Sequence, residues 1–210
     1  TINLWPWNWH IGDNTDLAPS ALSIRLKMEL ELLLKSKYWK NALKNLQACE
    51  GLKIIDSKLH NDQRLIEKIF NAKRSNIEPL TALVYESKNP ISLANRLHLN
   101  QQQKEIIEGA VRLNKYLKNI TVNDLYKNWS PSKWTTNLEE INANESSFIL
   151  EICRDNPLKE YLKSWLFNWK NIESPIKGDD LIAKGWEPGP EIGIEIKRQR
   201  MKLIDEKIIF

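Results

Sequence analysis

The chain has 210 residues, with 41% hydrophobic and 28% charged, the balance of an ordinary folded domain and enough for one large or two small cores. Lys and Arg exceed Asp and Glu by only 31 to 27, giving a net charge of +4 and a pI near 8.9. An excess so small excludes nucleic-acid binding through overall charge and leaves only local clustering to provide it.

Two cysteines, Cys49 and Cys153, and three histidines, His10, His60 and His98, stand far apart. That spacing argues against a disulfide framework and against a zinc site. No apolar run approaches the roughly 18 residues of a membrane span, and the start lacks the basic flank and cleavage site of a signal peptide. A cytoplasmic protein with no membrane partner is expected.

Residues 1–18 form a Trp-rich leader, Leu4-Trp5-Pro6-Trp7-Asn8-Trp9-His10, with no initiating Met. It reads as the remnant of an upstream domain, and the chain as a fragment or trimmed product. The Trp residues suit a strand, a packing strap or, less directly, base stacking.

Residues 19–120 read as one helical domain. Pro19-Ser20 opens a helix with Leu22, Leu26, Leu30, Leu33 and Leu34 on one face, along which Arg25 and Glu29 are spaced to pair. A second helix is expected over Tyr38–Cys49, stopped by Gly51, followed by a buried apolar segment with Leu52, Ile54, Ile55 and Leu59. Asn61 or Asp62 then caps a helix carrying Leu65, Ile66, Ile69 and Phe70. Glu78-Pro79, Asn89-Pro90 and Asn100 begin three more, the last with Lys104, Arg112, Lys115 and Lys118 on its outer face. Such a face is a solvated surface or a track for phosphates.

Residues 121–210 read as a second helical domain. Helix starts are expected at Asn123-Asp124 and at Ser130-Pro131, with further helices over residues 147–154 and 157–170. Strand patterns are scarce, so the fold class is all-α, an array of short-looped helices. It ends in a helix-hairpin-helix-like tail, Gly178-Asp179-Asp180-Leu181-Ile182 to Gly185-Trp186-Glu187-Pro188-Gly189-Pro190-Glu191-Ile192-Gly193. Gly185 is placed to end one helix in a left-handed conformation, Gly189 to turn the chain tightly, and Pro190 to begin the next helix. Amides at that helix start, with Lys197, Arg198, Arg200 and Lys202 beyond them, are the expected phosphate contacts. A plain helical corner with a solvated basic end is the competing reading. Glu191, in the first turn, would repel a phosphate.

Three stretches, in order, resemble the neck, body and tail of bacterial tRNA nucleotidyltransferases of the CCA-adding and poly(A) polymerase family, class II. They are Ser23-Ile24-Arg25-Leu26-Lys27-Met28-Glu29-Leu30, then Leu46-Gln47-Ala48-Cys49-Glu50-Gly51-Leu52, and the tail from Gly178 to Gly193, the most specific of the three. The resemblance covers roughly residues 19–205. It implies a partner, the acceptor and T-stem minihelix of tRNA, held while a missing N-terminal palm performs the chemistry with Mg²⁺ and CTP or ATP. It also implies that Arg25 and Glu29 support the neck or the nucleotide pocket. Asp13 and Asp16 are not an Asp-x-Asp pair, and no glycine-rich phosphate loop or Glu-Asp-x-x-Arg motif is present. Two-metal phosphoryl transfer needs such carboxylates, so this segment is expected to hold no cofactor and to be inactive alone. A stand-alone DNA-binding module and a protein-interaction scaffold are the alternatives.

Overall fold

The computed structural model describes residues 20–123, 125–143, 145–152 and 158–207. Among them the chain is all-α, with no strand. The Trp-rich leader and Cys153 lie outside the described residues. The chain divides into two compact units, Thr1–Val111 and Arg112–Phe210.

The first unit contains α1 (Ser20–Lys35), α2 (Trp39–Ala48), α3 (Gly51–Ile55), α4 (Ser57–Asn61), α5 (Leu65–Arg74), α6 (Pro79–Tyr85), α7 (Pro90–Arg96) and the first half of α8 (Gln101–Val122). Its centre is α6, in which every residue from Leu80 to Tyr85 is buried; a helix apolar all round can only be enclosed by others. It packs against α1, α5 and α7. Leu34, Leu43, Leu52, Leu59, Leu65, Ile69 and Leu97 complete a close-packed interior.

The helix starts that carry polar caps behave as their chemistry requires. Glu78 accepts from the Thr81 amide at 2.7 Å, Asn89 from Ser92 at 3.3 Å, and Asn100 from Gln103 at 2.9 Å. Gln103 returns a bond to the Asn100 amide at 3.1 Å, closing a capping box. Asp56 joins three segments, accepting from the amides of Lys58 and Leu59 on one oxygen and of Lys88 on the other.

Several expectations are corrected. Gly51 does not stop α2; Glu50 takes the left-handed conformation at φ 61° and Gly51 opens α3. A Cβ there would sit 2.9 Å from Leu46 Cδ2, so a larger residue would make the end of that side chain shift. Asp62 does not cap α5 directly: Arg64 is its N-cap residue, and Asp62 accepts the Arg64 amide at 2.9 Å. Ile54 and Phe70 face out of the core, and Cys49 is exposed. Arg25 and Glu29, both exposed, make no ion pair among the described residues; Lys27 and Glu31 pair instead at 3.7 Å.

The second unit holds the rest of α8, then α9 (Pro131–Glu140), α10 (Ser146–Ile152), α11 (Lys159–Phe167), a 3-10 turn (Trp169–Asn171), α12 (Gly178–Ala183) and α13 (Pro190–Glu206). No helix begins at Asn123, which lies in the turn after α8; Asp124 is outside the described residues. Ser130 caps α9, and Trp134 of that helix stacks on Tyr161 at 4.8 Å with Trp129 edge-on at 4.9 Å. Trp134, Trp165 and Trp169 are all buried, so aromatic area supplies much of this core.

Lys68 of α5 donates to Asp62 at 2.9 Å and to nearly buried Glu86 at 2.6 Å. Burial pulls its ammonium toward the neutral form, yet the hydrogen bonds to Asp62 and Glu86 outweigh this and hold its pKa above that of a free lysine. A raised lysine pKa stabilises at all pH values below the unfolded value and is lost only above it, so the triad is pH-independent at neutrality. Lys68→Met is expected to destabilise the protein by about 3 kcal/mol in urea denaturation, because it strands two carboxylates. Lys68→Met with Glu86→Gln recovers part of that loss.

Candidate nucleic-acid interface

The tail forms the expected helix, hairpin and helix. Gly185 has φ 89°, its amide donates to the Ile182 carbonyl at 2.9 Å, and the next amide, of Trp186, reaches back to Leu181 at 3.1 Å. Those two bonds make a Schellman end to α12, for which a left-handed glycine is the natural residue. Pro190 occupies the first position of α13. Gly189 departs from its expected role: its backbone is extended, at φ −179°, and a Cβ would come no closer than 4.0 Å to the Glu187 carbonyl. The turn therefore does not force a glycine at 189.

The bend is open to solvent. Every residue from Ile182 to Glu191 is exposed, Trp186 at 39%. No side chain caps α13. Among the described residues the amides of Glu187, Gly189 and Glu191 have no hydrogen-bond partner, while Ile192 makes a bond to Gly189 at 3.2 Å. A ligand with anionic oxygens can meet amides there that the protein itself leaves unbonded. The side chains around them oppose this, since Asp179, Asp180, Glu187 and Glu191 outnumber Lys177 and Lys184.

The four cations of α13 divide sharply. Arg200 is a structural clasp: its guanidinium donates to the carbonyls of Ile172 at 2.6 Å and Lys170 at 3.1 Å, and to Glu139 at 2.9 Å. Asp205, one turn on, accepts from both the amide and hydroxyl of Ser132. Together they bolt the C-terminal half of α13 to α9 and the 3-10 turn. Arg198 donates twice to Glu195, each at 2.7 Å; that bond, with one from Gln199, lowers the Glu195 carboxyl to about 2. Such a depressed carboxylate keeps its partner above the ordinary value of 4.5 and releases it only as pH falls toward about 2. Lys202 lies 3.7 Å from Glu206. Lys197 alone of the four has no partner among the described residues.

Asp180 spends one oxygen on the Lys177 amide at 2.8 Å, and no group of three or more His, Cys, Asp or Glu converges among the described residues. On α8, Arg112, Lys115 and Lys118 are exposed and Lys104 is half-buried.

A stronger basic surface lies in the first unit. From Leu32 to Cys49 the chain has four lysines, Lys35, Lys37, Lys40 and Lys44, and no carboxylate; residues 68–77 likewise have three cations and none. The fold packs these runs together, α2 against α5. Lys40 Nζ sits 4.1 Å from the Phe70 ring centre and Arg74 lies 5.9 Å from the same ring, while Lys37 covers Tyr38 at 4.8 Å. The signal available in the sequence was the missing acid, rather than any motif.

Arg200→Ala is expected to lower stability by about 2–4 kcal/mol in thermal or urea unfolding, since two backbone carbonyls and a carboxylate lose their donors. Arg200→Lys recovers less than half, because an ammonium cannot span the three acceptors of a planar fork. No known protein-family model matches the chain, nor does any curated protein or solved structure.

Proposed function

We propose that this chain is the tRNA-binding neck, body and tail of a tRNA nucleotidyltransferase of the CCA-adding and poly(A) polymerase family, acting for a catalytic palm that lies outside it. The observation that carries the reading is the open bend of the tail motif, where the amides of Glu187, Gly189 and Glu191 belong to exposed residues and have no hydrogen-bond partner among the described residues. A partner common to all tRNAs is recognised by shape and phosphate, because A-form RNA hides its base edges in a deep groove. Amides at a helix start suit that task, as they contact phosphate without reading sequence. The anchored half of α13 supports the bend from behind through Arg200 and Asp205. Of the four cations of α13, Lys197 is the one without a partner among the described residues, which leaves its charge for RNA.

A second reading, a protein-interaction surface, is favoured by one observation. Ile24, Met28 and Leu32 recur one turn apart on α1 and are 46%, 56% and 64% exposed, an apolar stripe without a partner among the described residues. The palm implied by the sequence resemblance is the partner of that kind, so the two readings are compatible.

The proposal predicts salt-sensitive binding to tRNA or an acceptor minihelix, little changed by base sequence and stronger than to duplex DNA. Gly189→Asp isolates the bend. The extended backbone accepts the new side chain, which caps α13 and stabilises by a few tenths of a kcal/mol. It also engages the Glu191 amide and adds a charge, so tRNA affinity falls about three- to tenfold by fluorescence anisotropy. Unchanged affinity with a raised melting temperature would remove the bend from the interface.

A further inference from the structure

The basic face of the first unit is built unlike the basic residues of the tail. In α13 four carboxylates, Glu191, Glu195, Asp205 and Glu206, accompany four cations. On α2 and the facing end of α5 no carboxylate interrupts the run, and the carboxylates next to these runs in sequence are already engaged. Glu31 pairs with Lys27 at 3.7 Å, Glu50 with Lys53 at 3.3 Å, and Glu67 with Arg64 at 3.6 Å. Lys73 is set apart from the group, since it donates to the Leu34 carbonyl at 2.7 Å and covers Trp39. That leaves Lys35, Lys37, Lys40, Lys44 and Arg74, all exposed and none with an anionic partner among the described residues.

Such a cluster opposes itself. Like charges one turn apart on a helix repel, as Lys40 and Lys44 do, and Lys37 and Lys40 sit at the N-terminal end of α2, where the helix dipole is also positive. Solvent and salt reduce the cost, and a bound polyanion reverses it. The aromatic members select among polyanions. Tyr38 is 63% exposed and Phe70 38%, their rings lying under Lys37 and under Lys40 with Arg74. Cations beside exposed rings match a strand that presents phosphates and free base faces together. A duplex keeps its bases stacked and offers the rings nothing.

We propose that the face formed by Lys37, Tyr38, Lys40, Lys44, Phe70 and Arg74 binds single-stranded RNA, holding phosphates by the lysines and arginine and stacking an unpaired base on Tyr38. The choice of RNA rests on the function proposed above. The surface belongs to the other unit and uses none of the hairpin, so the two are separable by mutation.

The test measures anisotropy of a short fluorescent oligoadenylate RNA with the full 210-residue chain over a salt series. The variant Lys40→Ala/Lys44→Ala/Arg74→Ala is compared with Lys53→Ala/Lys58→Ala/Lys88→Ala, which removes as many charges elsewhere in the unit. Loss of three phosphate contacts lowers the salt slope by about two and weakens binding at about 0.1 M salt by one to two orders of magnitude. The second variant is expected to bind like the parent, and Tyr38→Ala to lose several-fold without a change in slope. Circular dichroism confirms folding of each, as all the altered side chains are exposed. Equal affinity of the first variant and the parent, equal loss in both triple variants, or duplex RNA competing as well as the single strand would each overturn the proposal. Gly189→Asp, run alongside, reports on the hairpin alone: oligoadenylate binding kept in that variant while tRNA binding falls separates the two surfaces.

Discussion

A side-chain cation can satisfy a carbonyl or carboxylate of its own protein or an external phosphate, but its donors are finite and directional, and this competition governs the whole chain. Arg200 has committed its fork to Ile172, Lys170 and Glu139, and Lys68 is held between Asp62 and Glu86. Neither is free for a ligand, and both are needed where they are. Removing either leaves buried or half-buried acceptors without donors, which costs more than the bond itself contributes. Basic residues thus fall into two kinds by what surrounds them, and only the second kind can make an interface.

The same competition explains the shape of the tail. Without Arg200 and Asp205, α13 would meet the rest of its unit chiefly through a narrow apolar edge, of which only Ile204 is fully buried. Polar clamps at its C-terminal half let its N-terminal half remain solvated, with Ile194 and Gly193 exposed and the preceding bend bare. A helix anchored at one end presents the other rigidly. That is a suitable mount for backbone amides, whose use as anion donors depends on being held in place.

Much of this was legible in the sequence where a local rule has no competitor. Caps at Glu78, Asn89, Asn100 and Ser130 and the left-handed Gly185 follow from chemistry confined to a few neighbouring residues. Gly51 misled because the left-handed position after α2 fell one residue earlier, on Glu50, and Gly51 opens the next helix. Phe70 misled because helical spacing places a residue on a face without saying how far that face extends. Arg200 was indistinguishable in sequence from a free cation, since Glu139 is distant along the chain, whereas Arg198 stands one helical turn from Glu195, a pairing that spacing alone offers. The acid-free run Lys35–Lys44 was visible throughout, yet its meaning depended on α5 arriving beside it with Phe70 and Arg74.

A net charge of +4 is a poor guide to such a molecule. At physiological ionic strength the screening length is about 8 Å, shorter than most helices, so a phosphate near one face does not feel carboxylates on another. What counts is the sum within that radius. Around the tail bend the sum is negative, from Asp179, Asp180, Glu187 and Glu191, and any attraction there must come from amides at contact distance. Around α2 it is positive without relief, and attraction extends into solvent. Contact at the bend would then be short-ranged and geometric, while attraction at α2 would be longer-ranged and tolerant of register. The two differ accordingly in salt dependence: shallower for the tail, where Lys197 adds its charge to a contact made by neutral amides, and steeper for a contact made by releasing several counterions.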